Sequence, residues 1–95
     1  MIIVSGWLRL AAEERAAYLN GCRDVIIAAR SAEGCLDFHL SADPIEADRI
    51  NVYERWESAA AVEAFRGSGP GGDQTSAIIA ADVAQHEVTT TTSLT

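Results

Sequence analysis

Glu54 and Trp56 stand two residues apart in the stretch INVYERWESAAAVEAF (50–65). In an extended chain that spacing puts both side chains on one side of a strand, about 6.6 Å apart at the backbone. A carboxylate held among apolar neighbours can take a proton as a general base. The indole offers a flat wall for an aromatic ring and an N–H that needs a partner when buried. The ordinary alternatives are a salt bridge from Glu54 to an Arg of a helix and simple core packing by Trp56. Asn51, Tyr53 and Arg55 alternate with this pair and face the other way. They become donors for a developing anion only if a bulge turns them inward. His39 is the second candidate base, with Asp37 on its own face to orient it.

The other reactive side chains do not assemble into a motif. His39 and His86 are isolated from each other, and Cys22 and Cys35 form no CxxC, so no metal site is expected. The two cysteines read as reduced thiols of a cytoplasmic protein. GSGPGGD (67–73) lacks the Lys-Ser/Thr of a phosphate loop and reads as a connection or a lid at a pocket mouth. A net charge of -7, with only seven Lys+Arg, argues against nucleic acid and anionic membrane as partners. No apolar run approaches the roughly 18 residues of a membrane span. The chain enters a strand almost at once, which leaves no room for a targeting peptide.

The elements that must position these residues follow from changes of period. MIIVSGWLRL (1–10) is a strand. From Ala11 to about Ala32, Arg15, Tyr18, Leu19, Cys22, Val25, Ile26 and Ala29 recur at helical steps, and Gly34 ends the run. CLDFHLSA (35–42) alternates, with Leu36, Phe38 and Leu40 on one side and Cys35, Asp37 and His39 on the other. Asp43-Pro44 opens a turn into a strand over 49–57, which makes an antiparallel hairpin. Ser58 caps a helix over 59–66. A short helical piece is expected at 74–82 and a last strand at 84–93. With 95 residues, the chain is expected to be a single domain over 1–95. Strand, helix, strand, strand, helix, strand is the split βαβ, ferredoxin-like order of an α+β fold, an antiparallel sheet with helices on one face.

The helices cover one face of such a sheet, here that of Ile50, Val52, Glu54 and Trp56. A pocket between helices and sheet is expected to be lined by Phe38, Trp56, Phe65 and Tyr18. The other face carries Cys35, Asp37, His39, Asn51, Tyr53 and Arg55, with Ser5, Trp7 and Arg9 from the first strand. Its Tyr, Trp and Arg content suits contact with a second copy.

EGCLDFHLSADP (33–44) followed by RINVYERWESAAAVEAF (49–65) resembles the antibiotic biosynthesis monooxygenase family, through Gly34, Cys35, Asp43, Pro44, Glu54 and Trp56. The resemblance implies a homodimeric α+β barrel, two sheets paired face to face. It also implies a cofactor-independent monooxygenase that oxidises a quinol-like or polycyclic aromatic substrate with dioxygen. The alternative on the same scaffold is a dimer that binds a small ligand without turnover. Many relatives carry a His where Phe65 stands, and a second where Pro70 stands. The haem-degrading branch uses such a His on iron, with an Asn in the first strand. This chain offers Ser5 and Gly6 there and no His in its second helix, so no haem is expected.

Overall fold

Strands and helices form where the sequence changes period. The computed structural model describes residues 1–67 and 77–95. Along them run β1 (Ile2–Leu10), a 3-10 turn (Ala12–Glu14), α1 (Arg15–Gly21), α2 (Arg23–Arg30), β2 (Cys35–Ala42), β3 (Arg49–Trp56), α3 (Ala59–Gly67) and β4 (Ile78–Glu87). The strands lie in the order β2-β3-β1-β4, and every neighbouring pair is antiparallel. This is the expected α+β arrangement, with β3 between β1 and β2 and the helices on one face.

The helical stripe is realised with a joint in it. Asn20 and Gly21 are weak helix formers, and the amide of Cys22 is shared between the carbonyls of Tyr18 and Leu19. The helix resumes from Cys22, whose carbonyl accepts from Ile26. Cys22 and Ala29 are buried, and Arg15, Tyr18, Leu19, Val25 and Ile26 are half-buried beside them. Arg15 fastens α1 to the far end of the hairpin. Its Nη1 donates to the carbonyls of Asp43, Glu46 and Arg49 at 3.2, 2.8 and 3.2 Å.

β3 alternates without a fault: Ile50, Val52, Glu54 and Trp56 are buried, and the residues between them are half-buried. β2 does not alternate as expected. Cys35 lies opposite Trp56 and Asp37 opposite Arg55, so Leu36 is the extra residue of a bulge. It points to solvent, 44% exposed, and Cys35 takes the place on the core side that alternation gave to Leu36.

The C-terminal part corrects two expectations. Of the helical piece at 74–82, residues 74–76 lie outside the described residues, as does 68–73 of the loop. Ile78–Asp82 belong to β4, which starts six residues before the expected strand and ends at Glu87. Hydrogen bonds to β1 along most of its length outweigh the helix preference of an Ala-rich run. β4 is an edge strand with nearly all of its residues exposed, so no burial enforces alternation in its sequence. Gly6 of β1 has φ +152°, and a Cβ there would run into the carbonyl of Asp82 in β4.

Candidate functional site

The last three residues of β3 and the last turn of α3 build one cluster. Trp56 ends the strand, and Ser58 starts the helix by accepting a hydrogen bond from the amide of Ala61 at 3.2 Å. Val62, Phe65 and Arg66 follow at helical steps, so all three return over the sheet. Gly34 makes room for this. Its φ is +82°, and a Cβ on it would stand 2.6 Å from the Cβ of Ala61. Trp56 and Val62 are buried with Ile2, Val4, Ala29 and Phe38, and Phe65 packs on their edge. Phe65 meets Trp56 at 5.4 Å and Phe38 at 5.9 Å between ring centres, the latter edge to face.

Glu54 is 4% exposed and lies opposite Phe38 on the neighbouring strand, beside this aromatic group. Its Oε1 accepts from the indole N–H of Trp56 at 3.0 Å. Its Oε2 accepts from Arg66 Nη2 at 3.0 Å. Both the salt bridge to a helix Arg and the shared face with Trp56 are therefore present. The ion pair is lopsided, since the Arg66 side chain is 56% exposed and that of Glu54 5%. Chemically the arrangement is a carboxylate with an indole donor on its inner side and a cation on its outer side. Each oxygen keeps a further lone pair with which to meet a proton.

The other site residues lie elsewhere. Asn51 is on the opposite face of β3. No bulge interrupts that strand against β1, so it does not turn inward. Both ends of its amide are used: Nδ2 donates to Asp43 Oδ1 at 2.9 Å and Oδ1 accepts from Arg49 Nε at 2.7 Å. Tyr53 shares that face and stacks loosely on His39, 6.0 Å between ring centres. His39 is exposed at the sheet edge. Its Nε2 meets Asp37 Oδ2 at 2.8 Å and its Nδ1 meets Arg30 Nη2 at 3.4 Å. The bond from His39 holds the Asp37 carboxyl below its ordinary range. The structure thus separates Asn51, Tyr53 and His39 from Glu54 and Trp56. Tyr18 also stands apart from the ring cluster. Burial, followed by the neighbouring Cys22, pushes its hydroxyl up to about 12, so it is a poor acid.

Two residues that sequence reasoning did not single out organise these surfaces. Arg66 was findable as a cation on the helix that follows a buried carboxylate. Asp43 was read as a turn residue and as part of the family pattern, not as a hydrogen-bonding centre. Its Oδ2 accepts from the amides of Ile45 and Glu46 at 3.0 and 2.8 Å. Together with the bond from Asn51, these hold its carboxyl down at about 2. The expected pocket between helices and sheet is filled by its own rings, and Trp56 has 0% exposure. A concave surface of about 800 Å³ lies instead along the outer side of α1 and α2, between Ala16 and Arg30.

Among the described residues no three His, Cys, Asp or Glu side chains come together to hold a metal. No helix among them is long and apolar enough to cross a membrane.

Residues 1–73 match the sequence profile of the family described as antibiotic biosynthesis monooxygenase. No curated protein matches in sequence. Among solved structures, the chain is similar to a Deinococcus radiodurans protein described as a candidate antibiotic biosynthesis monooxygenase. The TM-score is 0.81 at 20% identity, over 100% of this chain and 99% of that one. A Nitrosomonas europaea protein of the same description gives a TM-score of 0.81 at 11% identity, covering 93% and 98%. A haem degrader of Mycobacterium tuberculosis, with two haems bound in its active site, gives 0.69 at 17% identity, covering 98% and 100%. At these identities the likeness shows the fold. Haem does not fit the described residues here: His39 is committed to Asp37, His86 faces outward beside Ile3, and α3 has no His.

Proposed function

Because this chain belongs to the antibiotic biosynthesis monooxygenase family, we propose that it oxidises a quinol-like or polycyclic aromatic substrate with dioxygen, without a cofactor. The observation that carries the proposal is the buried Glu54 carboxylate, hydrogen-bonded to Trp56 and opposite Phe38 across the sheet, beside the ring group that Phe65 completes. An electron-rich phenol needs little from a protein once it has lost its proton. Glu54 takes that proton as the base. Electrons then pass from the anion to dioxygen, and the two recombine as a peroxide on a ring carbon. Loss of that carbon's hydrogen with cleavage of the O–O bond leaves a carbonyl and water. A quinol and dioxygen thus give a hydroxyquinone and water, with one oxygen atom in each product. The packed aromatic rings keep water from the inner side of the carboxylate, and the substrate meets it from the outer side, where Arg66 stands. His39, exposed on the other face, is the second candidate base; Asn51 and Tyr53 would serve a substrate only on that face.

The working unit we propose is a homodimer, its two sheets closed into an α+β barrel. The sheet face without helices supports this. Trp7 lies there beside Arg9 and Arg49, its ring centre 5.2 and 6.0 Å from their guanidinium carbons, and Arg55 Nε is buried with no hydrogen-bond partner among the described residues. Cys22 and Cys35 form no disulfide, which suits the cytoplasm.

The second reading, a ligand-binding dimer without turnover, draws on the closed packing of Trp56. Dioxygen uptake separates the two. Protein stripped of metal and flavin is mixed with a panel of quinols and anthrones. The oxygenase reading expects uptake above the rate without protein. Binding of the panel with no added uptake supports the second reading.

A further inference from the structure

Arg66 is the outer member of the chain Trp56–Glu54–Arg66, and it meets solvent while Glu54 does not. Every one of the seven cations of this acidic chain is an arginine. Arg9 and Arg49 pair with exposed acids of the hairpin, and Arg15 and Arg30 hold backbone carbonyls. Arg66 alone among the described residues is aimed at a buried carboxylate. It does so through a single N–H, although a guanidinium carries five. Among the described residues its other donors meet no partner, and they point the way for a ligand oxygen that approaches Glu54 Oε2 from outside.

We infer that Arg66 is a specificity-determining residue: it receives the oxyanion of an acidic hydroxyl on an aromatic ligand and rejects ethers and unionisable rings. The inference rests on the reading of the Glu54–Trp56 cluster as the ligand site. The exchange balances in charge and atoms. The ligand O–H bond breaks and an Oε2–H bond forms on Glu54. The negative charge moves from the carboxylate to the ligand oxygen, and no electrons are transferred. Arg66 therefore trades one anion for another and keeps a counter-charge throughout. In a protein of net charge -7 an anionic ligand is repelled at long range. A local guanidinium is then what allows the ionised form to be held.

A redox-inert probe tests this without requiring turnover. 4-Nitrophenol absorbs in the visible only as the phenolate, and 4-nitroanisole is its methyl ether. Both are titrated into wild type, Arg66→Gln and Arg66→Lys across a pH series, with circular dichroism to confirm folding. In wild type the bound phenol is expected to ionise about one pH unit or more below the free probe, the usual effect of an adjacent cation. Arg66→Lys should retain most of that displacement, and Arg66→Gln should lose it. The anisole should bind wild type at least about tenfold more weakly than the phenol. The same ionisation midpoint in wild type and Arg66→Gln, or no binding of the phenol, overturns the inference. Failure of the oxygenase reading looks different. There the probe behaves as stated, but no quinol raises dioxygen uptake. Conversely, quinol uptake with kcat, KM and pH profile unchanged in Arg66→Gln sinks the inference and leaves the oxygenase reading standing.

Discussion

Removing the carboxylate of Glu54 in two ways should give two different stabilities. Glu54→Gln keeps the side-chain length and one acceptor oxygen, which can still take the Trp56 N–H now held at 3.0 Å. Its amide nitrogen then faces Arg66, donor against donor. Arg66 is 56% exposed and can turn into water, so the lost ion pair is worth about 0.5–1 kcal/mol. A buried amide N–H short of an acceptor adds about 1–3 kcal/mol, and relief from burying a charge offsets part of it. The net expectation is a loss of about 1–2 kcal/mol. Glu54→Ala also strands the N–H of an indole with 0% exposure and opens space beside it, for about 2–4 kcal/mol in all. Urea unfolding by fluorescence measures both, at equal protein concentration because a dimer's stability depends on it. A Glu54→Ala protein as stable as wild type, or one more stable than Glu54→Gln, would refute the network.

Gly6→Ala should cost about 2–4 kcal/mol, because its Cβ would strike the Asp82 carbonyl and force β1 and β4 apart; thermal unfolding reads this, and a neutral result contradicts the strand register. The Asp43 carboxyl is held down at about 2, below its unfolded value of about 3.9. Its contribution is therefore complete above about pH 4 and fades as pH falls towards about 2. In Asp43→Asn, stability measured over that window should fall less steeply than in wild type; equal slopes reject the assignment. Sedimentation at micromolar concentration should give twice the chain mass, and Tyr53→Asp on the uncovered sheet face should shift it towards monomer. A wild-type monomer would remove the barrel from the account.

The fold was legible wherever burial imposes a period. β3 alternates because one face packs under helices, and the helical stripe from Arg15 to Ala29 is half-buried or buried throughout. Two places broke the reading for opposite reasons. At Cys35-Leu36 both residues are apolar, so no polarity pattern marks which of them leaves the sheet in the bulge. At Ile78–Asp82 the strand is set by pairing with β1 and has little buried face of its own, so composition pointed to a helix. Within the candidate site, the spacing of Glu54 and Trp56 was enough to place both on one face. Their hydrogen bond and the partnership with Arg66 depend on how α3 returns over the sheet, which spacing within β3 does not encode.

In the proposed reaction a cofactor-free site puts one atom of dioxygen into an aromatic substrate, with Glu54 as the base. Isotopically heavy dioxygen tests it directly, using the best quinol of the uptake panel and protein stripped of metal and flavin. One heavy atom should appear in each quinone and the other in water, with turnover about a hundredfold or more lower in folded Glu54→Gln. Product without heavy oxygen and with hydrogen peroxide released, or equal turnover in wild type and Glu54→Gln, would contradict the account.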